Sequence, residues 1–143
     1  MNYYKGNILP EDDIIFVFGS NPEGRHGSGS ARVALLLFGA IYGQGEGLQG
    51  QSYALPTKDL RVKENNGYRS IPGEQIIENI KKLYECAREH PDKKFCIAYR
   101  NGVDQKTLNG YTGYEMMRMF LDAGEIPENI YISEEWYNTG LFR

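Results

Sequence analysis

The chain has 143 residues, 41% of them hydrophobic and 24% charged, and carries a net charge of −3 at pH 7. That describes one globular domain, and its acidic balance argues against indiscriminate, counterion-driven binding to nucleic acid. Two cysteines without a CxxC pair and only two histidines argue against a disulfide scaffold or a zinc site. No metal or cofactor is expected. No apolar run approaches the ~20 residues of a membrane-spanning helix, and Met1-Asn2-Tyr3-Tyr4-Lys5 lacks the apolar core of a signal peptide, so the expected setting is a reducing cytoplasm with no membrane partner.

In chain order, Ile14-Ile15-Phe16-Val17-Phe18 is a continuous β-branched and aromatic run between Glu11-Asp12-Asp13 and Gly19. Continuous hydrophobicity predicts a central strand buried on both faces. Gly19 to Ser30 is too rich in turn formers for regular structure. From Ser30 a helical pattern runs through Ala31, Val33, Ala34, Leu35, Leu36, Leu37 and Phe38 to Gly39. Apolar nearly all round, this helix is expected to be largely buried.

Tyr42 to Gln51 is a second glycine-rich loop, followed by a short strand, Ser52-Tyr53-Ala54-Leu55, before Pro56. Lys58 to Tyr68 is charged and polar, an exposed loop with room for an edge strand. Pro72 opens the clearest helix, with Ile76, Ile77, Ile80, Leu83, Tyr84 and Ala87 at helical spacing, and Pro91 closes it. Phe95 to Tyr99 is another buried strand, and Arg100 to Gly110 another polar loop. Thr112-Gly113-Tyr114-Glu115 has the form of a capping box for a helix that carries Met116, Met117, Phe120 and Leu121 and stops at Gly124. Ile130-Tyr131-Ile132 is a last strand, with Trp136, Leu141 and Phe142 packing down the tail.

Alternating strands and helices without repeats or a long linker predict one three-layer α/β domain over residues 1–143, with a mixed, mainly parallel sheet. Ligands in such folds bind beyond the carboxyl ends of the strands. The loops Gly19–Ser30 and Arg100–Tyr111 both follow a strand and precede a helix, so they are expected on one rim.

Nine of the seventeen glycines fall between Gly19 and Gly50. In Gly27-Ser28-Gly29-Ser30 the glycines let backbone approach a ligand, and free amides at a helix start favour an anion such as phosphate. The plainer alternative is a tight strand–helix turn with Ser28 or Ser30 as its cap. Gly19 to His26 has the glycine spacing of a Walker A loop, but Arg25 and His26 stand where Lys and Ser or Thr belong. Gly45-Glu46-Gly47-Leu48-Gln49-Gly50 spells GxGxxG yet precedes a strand, so a Rossmann reading fails.

Phe16-Val17-Phe18-Gly19-Ser20-Asn21 followed by Gly27-Ser28-Gly29-Ser30-Ala31 resembles the macrodomain signature. Lys5-Gly6-Asn7-Ile8-Leu9 is similar to that family's Gly-Asp-Ile segment, and Phe95–Tyr99, Gly102 and Asn109-Gly110-Tyr111-Thr112 resemble its second phosphate loop. The chain is also similar to small bacterial and phage proteins that share an FGSN…HGSG-like stretch. Macrodomains bind ADP-ribose, and some hydrolyse ADP-ribosyl linkages. The resemblance implies that Asn21 bonds the distal ribose, that Gly27 to Ser30 cradle one phosphate, and that Gly102 with Asn109, Gly110 and Tyr111 holds the other. Gly19, Ser20 and Arg25 join this ligand set, and Asn7 faces the adenine amino group where the family has Asp.

Ala31-Arg32-Val33 offers no Asp or His at the position where hydrolytic members carry one. The catalytic candidates are therefore Asn21, His26 as an acid or base near neutral pH, and Glu46 as an activator of water. A loop-stabilising His26 and a solvated Glu46 are the plainer readings. Arg25 and Arg100 are candidate phosphate partners, and Tyr111 and Tyr114 candidates for stacking on a base. Cys86, Cys96 and the Met116, Met117, Met119 group read as core, and His90 as a helix C-terminal contact. The expected function is binding of an ADP-ribose-like nucleotide, with hydrolysis of an ADP-ribosyl bond as an extension. The alternatives are an interaction module for a protein or nucleic-acid partner, for which the sequence shows no apolar or basic patch, and a hydrolase of a non-nucleotide substrate using Glu46 and His26.

Overall fold

The structure, a computed structural model, describes residues 1–143. Its sheet has the strand order β1-β6-β5-β2-β4-β3. These are β1 (Asn2–Tyr4), β2 (Ile14–Ser20), β3 (Gly47–Gln49), β4 (Ser52–Pro56), β5 (Lys94–Ile97) and β6 (Ile130–Ser133). The helices are α1 (Gly29–Leu37), α2 (Gly73–Glu89), α3 (Gly113–Asp122) and the short α4 (Glu134–Tyr137). All neighbouring strands pair in parallel except β3, which runs antiparallel to β4. This is the three-layer α/β arrangement that the alternation predicts.

β2 lies between β4 and β5, which explains its unbroken apolar sequence. Its odd positions, Ile15 and Val17, enter a core of 21 buried residues shared with α2, α3 and Trp136. Its even positions, Ile14, Phe16 and Phe18, enter a second core of nine buried residues under α1. The same two-residue period sends Tyr53, Leu55, Phe95, Ile97, Ile130 and Ile132 to the larger core, and Ala54 and Cys96 to the smaller.

Four features differ from the sequence reading. The N-terminal segment forms β1 by pairing with β6, a partner more than a hundred residues away that no local pattern announces. Within the second glycine-rich loop, Gly47–Gln49 pairs with β4 as an edge strand. Lys58 to Tyr68 holds no strand but turns through Glu64–Gly67, where Asn65 and Asn66 take positive φ of 51° and 58°. Finally, α1 is not largely buried: Ala31 and Ala34 face the sheet, while Val33, Leu36 and Leu37 remain 39%, 63% and 55% exposed.

Local chemistry accounts for the other helix ends. Thr112 accepts from the Glu115 amide at 3.1 Å while the Glu115 carboxylate accepts from the Thr112 amide at 3.0 Å, completing the expected capping box. His90 lies within hydrogen-bond distance of the Cys86 carbonyl, 2.8 Å from Nδ1, at the end of α2. Met116, Met117, Met119 and Cys96 are buried, and Cys86 is half-buried. Trp136, fully buried, stacks on Phe142 and donates from Nε1 to the Asn101 carbonyl at 2.9 Å. The tail is thereby tied to the loop after β5. No helix is long and apolar enough to cross a membrane.

Candidate functional site

β2 and β5 are parallel neighbours, so the loops that leave their carboxyl ends emerge on the same rim. They meet there around a cleft of about 300 Å³, at the lower end of the ~300–1,000 Å³ range of small-molecule sites. From the first loop it is lined by Gly19, Ser20, Asn21, Arg25, Ser28 and Ser30. The second loop adds Asn101, Thr107, Leu108 and Asn109, and the floor is Ala98 and Tyr99. Thr57, Lys58 and Leu60, which follow β4, close the third side.

No Asp or Glu lines this cleft, whereas Arg25 and Lys58 do. The start of α1 adds to the same polarity. Ser28 makes no side-chain cap, and the amides of Gly29, Ser30 and Ala31 have no hydrogen-bond acceptor within the chain. Gly29 has φ +59°, and its α-carbon lies against the Leu108 side chain, so the two loops touch at this glycine. Unpaired helix-start amides, the helix dipole and the two cations suit an anion, with Glu23, outside the lining, beside Arg25.

Below them lies a polar floor. The Tyr99 hydroxyl is 2.9 Å from Thr57 Oγ1 and 3.5 Å from Asn109 Nδ2. Burial pushes the Tyr99 phenol up to about 12, so it stays protonated across the physiological range. A Cβ on Gly19 would collide with this hydroxyl. Glycine is required here by close approach, since its backbone lies within a regular strand.

Several predicted residues are present but already engaged. Asn21 Oδ1 accepts from the Arg25 amide at 2.9 Å and Nδ2 donates to the Arg25 carbonyl at 3.0 Å, which folds residues 21–25 into a tight turn. Asn109 Oδ1 accepts from the Tyr111 amide at 2.9 Å and from Thr107 Oγ1. Arg25 Nε lies 3.6 Å from a Glu23 carboxylate oxygen. These side chains shape the rim; Asn21 keeps donor and acceptor capacity for a ligand, whereas Asn109, whose Nδ2 also reaches Tyr99 and Met116, is fully engaged within the chain.

Other predicted residues lie outside the cleft. His26 is fully buried, edge-on to Phe18, with Nε2 3.0 Å from the Gln44 carbonyl. Nε2 therefore carries the proton, and Nδ1 is buried without a partner; His26 clamps the two glycine-rich loops together. Glu46 lines a separate hollow with Asp59, Gln75 and Lys82, its carboxylate 3.8 Å from Lys82 Nζ. Asn7 belongs to a hollow beside Tyr4, Ile8 and Tyr131, and its Oδ1 accepts from Arg100 at 3.4 Å. Arg100 is held by Glu135 and by the Gly6 carbonyl. That pairing keeps the Glu135 carboxyl below its ordinary range.

Gly27 and Gly102 have open space where a Cβ would stand, and neither lines the cleft. Gly110, at φ +89°, packs on Tyr68. Tyr111 is buried with its hydroxyl donating to the Ile71 carbonyl at 2.7 Å, and Tyr114 is exposed outside the cleft. Neither offers a ring to a base in the cleft.

Sequence reasoning missed Thr57, Lys58, Tyr99, Asn101 and Thr107. One signal pointed to Thr57 and Lys58: they follow a buried strand of the parallel sheet, as the two predicted loops do. Comparison with known proteins adds nothing to the geometry, since no family model, curated protein or solved structure matches the chain.

Proposed function

We propose that this protein binds the phosphate-bearing part of a nucleotide, ADP-ribose or a close relative, in the cleft between its two strand-to-helix loops, as a macrodomain-like binding module. The observation that carries this reading is the composition of the cleft. Arg25, Lys58 and the uncapped start of α1 at Ser28, Ser30 and Ala31 line it, and no carboxylate does. The hydroxyls of Ser28 and Ser30 supply uncharged donors for phosphate and ribose oxygens.

The reading is of binding, with hydrolysis left out. General acid–base catalysis needs a group that changes protonation near the working pH within hydrogen-bond reach of the substrate. His26 is enclosed in the loop junction and Glu46 lines another hollow. Within the cleft, Tyr99 holds its proton up to about 12.

A thermal-shift titration with ADP-ribose, AMP and inorganic phosphate tests the proposal. Ligand at about 100 times its dissociation constant stabilises the fold by ~2.7 kcal/mol, a rise of roughly 5–10 °C for a domain of this size. The expected result is a rise with ADP-ribose, reduced in Lys58→Ala and Arg25→Ala. Each substitution should weaken affinity about tenfold or more, the equivalent of one charge-assisted hydrogen bond. No shift with any of the three ligands, or equal affinity in both variants, overturns it.

A further inference from the structure

We infer that the outer face of α1 is an interface between two copies of this chain. The helix turns Ala31, Ala34 and Phe38 to the sheet and leaves Val33, Leu36 and Leu37 on the opposite side, continued by Ile41 and Tyr42 after the helix end. These five side chains keep 39–63% of their surface exposed. Spaced at i, i+3 and i+4, the three helical residues form one stripe. β3 extends it at the sheet edge, where Leu48 is 36% exposed and its carbonyl accepts from Gln44 at 3.1 Å.

Charge and area both suit a second copy as the occupant. Between His26 and Gly45 the only charged side chain is Arg32, in a chain that is 24% charged overall. Two molecules of net charge −3 can approach most closely through this face, which carries no acidic side chain. A two-fold antiparallel crossing of α1 on its copy sets Leu36 and Leu37 near the axis and the two Arg32 residues at opposite ends, so no like charges oppose. An apolar patch on a monomer is ~300–600 Å², and a stable interface takes ~800 Å² from each partner. Five large side chains at this exposure fill the upper part of the first range, and the rim of Arg32, Gly39, Gly43 and Leu48 extends it toward the second.

The layering of the fold points the same way. One sheet face is covered by α2, α3 and α4 over 21 buried residues, the other by the nine residues of α1 over nine. A second copy laid on α1 completes the thin side.

Sedimentation equilibrium of the full chain at tens of micromolar tests the inference. The expected mass is twice 16.3 kDa. Leu36→Glu and, separately, Leu37→Lys should each weaken association at least a hundredfold and give the monomer mass, with unchanged far-UV circular dichroism. Both positions face away from the core, so the substitutions leave the fold intact. A wild-type chain that sediments at 16.3 kDa, or folded variants that remain dimeric, overturns it.

Discussion

Gly19 shows how much can rest on one residue. Its backbone is that of an ordinary strand, yet a single methyl group there would meet the Tyr99 hydroxyl and disturb its bond to Thr57. Gly19→Ala is expected to cost ~1–3 kcal/mol, as overpacking does, and to lower the denaturant midpoint while weakening ligand binding. Arg69 and Glu115 make a second residue-scale case. Two hydrogen bonds of 2.7 and 2.8 Å hold the Glu115 carboxyl below its ordinary range. A carboxyl depressed in the folded state contributes stability above its unfolded value near ~4.3 and loses it as pH falls through the folded value. Arg69→Gln should therefore cost up to ~1 kcal/mol at pH 6, given the exposure of the pair. The difference from wild type should close below about pH 4 when melting temperatures are compared.

At the scale of elements, the two helices that flank the cleft start in opposite ways. α3 begins on a complete capping box, whereas α1 begins without a side-chain cap and with amides that have no acceptor within the chain. Thr112→Ala is expected to cost about 1 kcal/mol and a few degrees of melting temperature, with little change in ligand affinity. The short α4 has a different task. It seats Trp136 against Tyr99 at 6.1 Å between ring centres and ties the tail to Asn101. Trp136→Ala should cost ~3–5 kcal/mol, the usual range for deleting a buried aromatic, and should loosen the second loop of the cleft. Amide exchange over residues 100–112 would report it.

For the whole molecule, one sheet carries two cores of unequal size, and every central strand contributes to both. Neither core can open without exposing the other face of the same strands, so equilibrium unfolding should be a single transition. The chain has one tryptophan, Trp136, buried in the larger core. Its fluorescence and the far-UV circular dichroism are expected to give the same denaturant midpoint. Separated midpoints would mean that the thin α1 side unfolds independently.

The elements that bury apolar surface at a regular period were legible in the chain itself. β2, β5, α2 and α3 have local signals strong enough to place them: a run of β-branched residues, a helical stripe, a capping box, a flanking proline. From their order followed the parallel sheet and the shared rim of the two loops, because parallel strands send their carboxyl ends the same way. Residue identity and backbone freedom are properties of short segments, and these conclusions needed nothing more. Partners distant in sequence were decided only by the tertiary structure. β1 exists because of β6, Arg100 is held by Glu135 and by Gly6 at a separation of 94 residues, and His26 is closed off by Gln44, 18 residues on. Each of these side chains has one set of hydrogen bonds to give, and folding assigns it to the chain or leaves it for a ligand. Position decides the rest: Lys58 and Tyr99 follow parallel strands onto the rim and line the cleft, although both are hydrogen-bonded within the chain, while His26, Asn7 and Glu46 lie elsewhere.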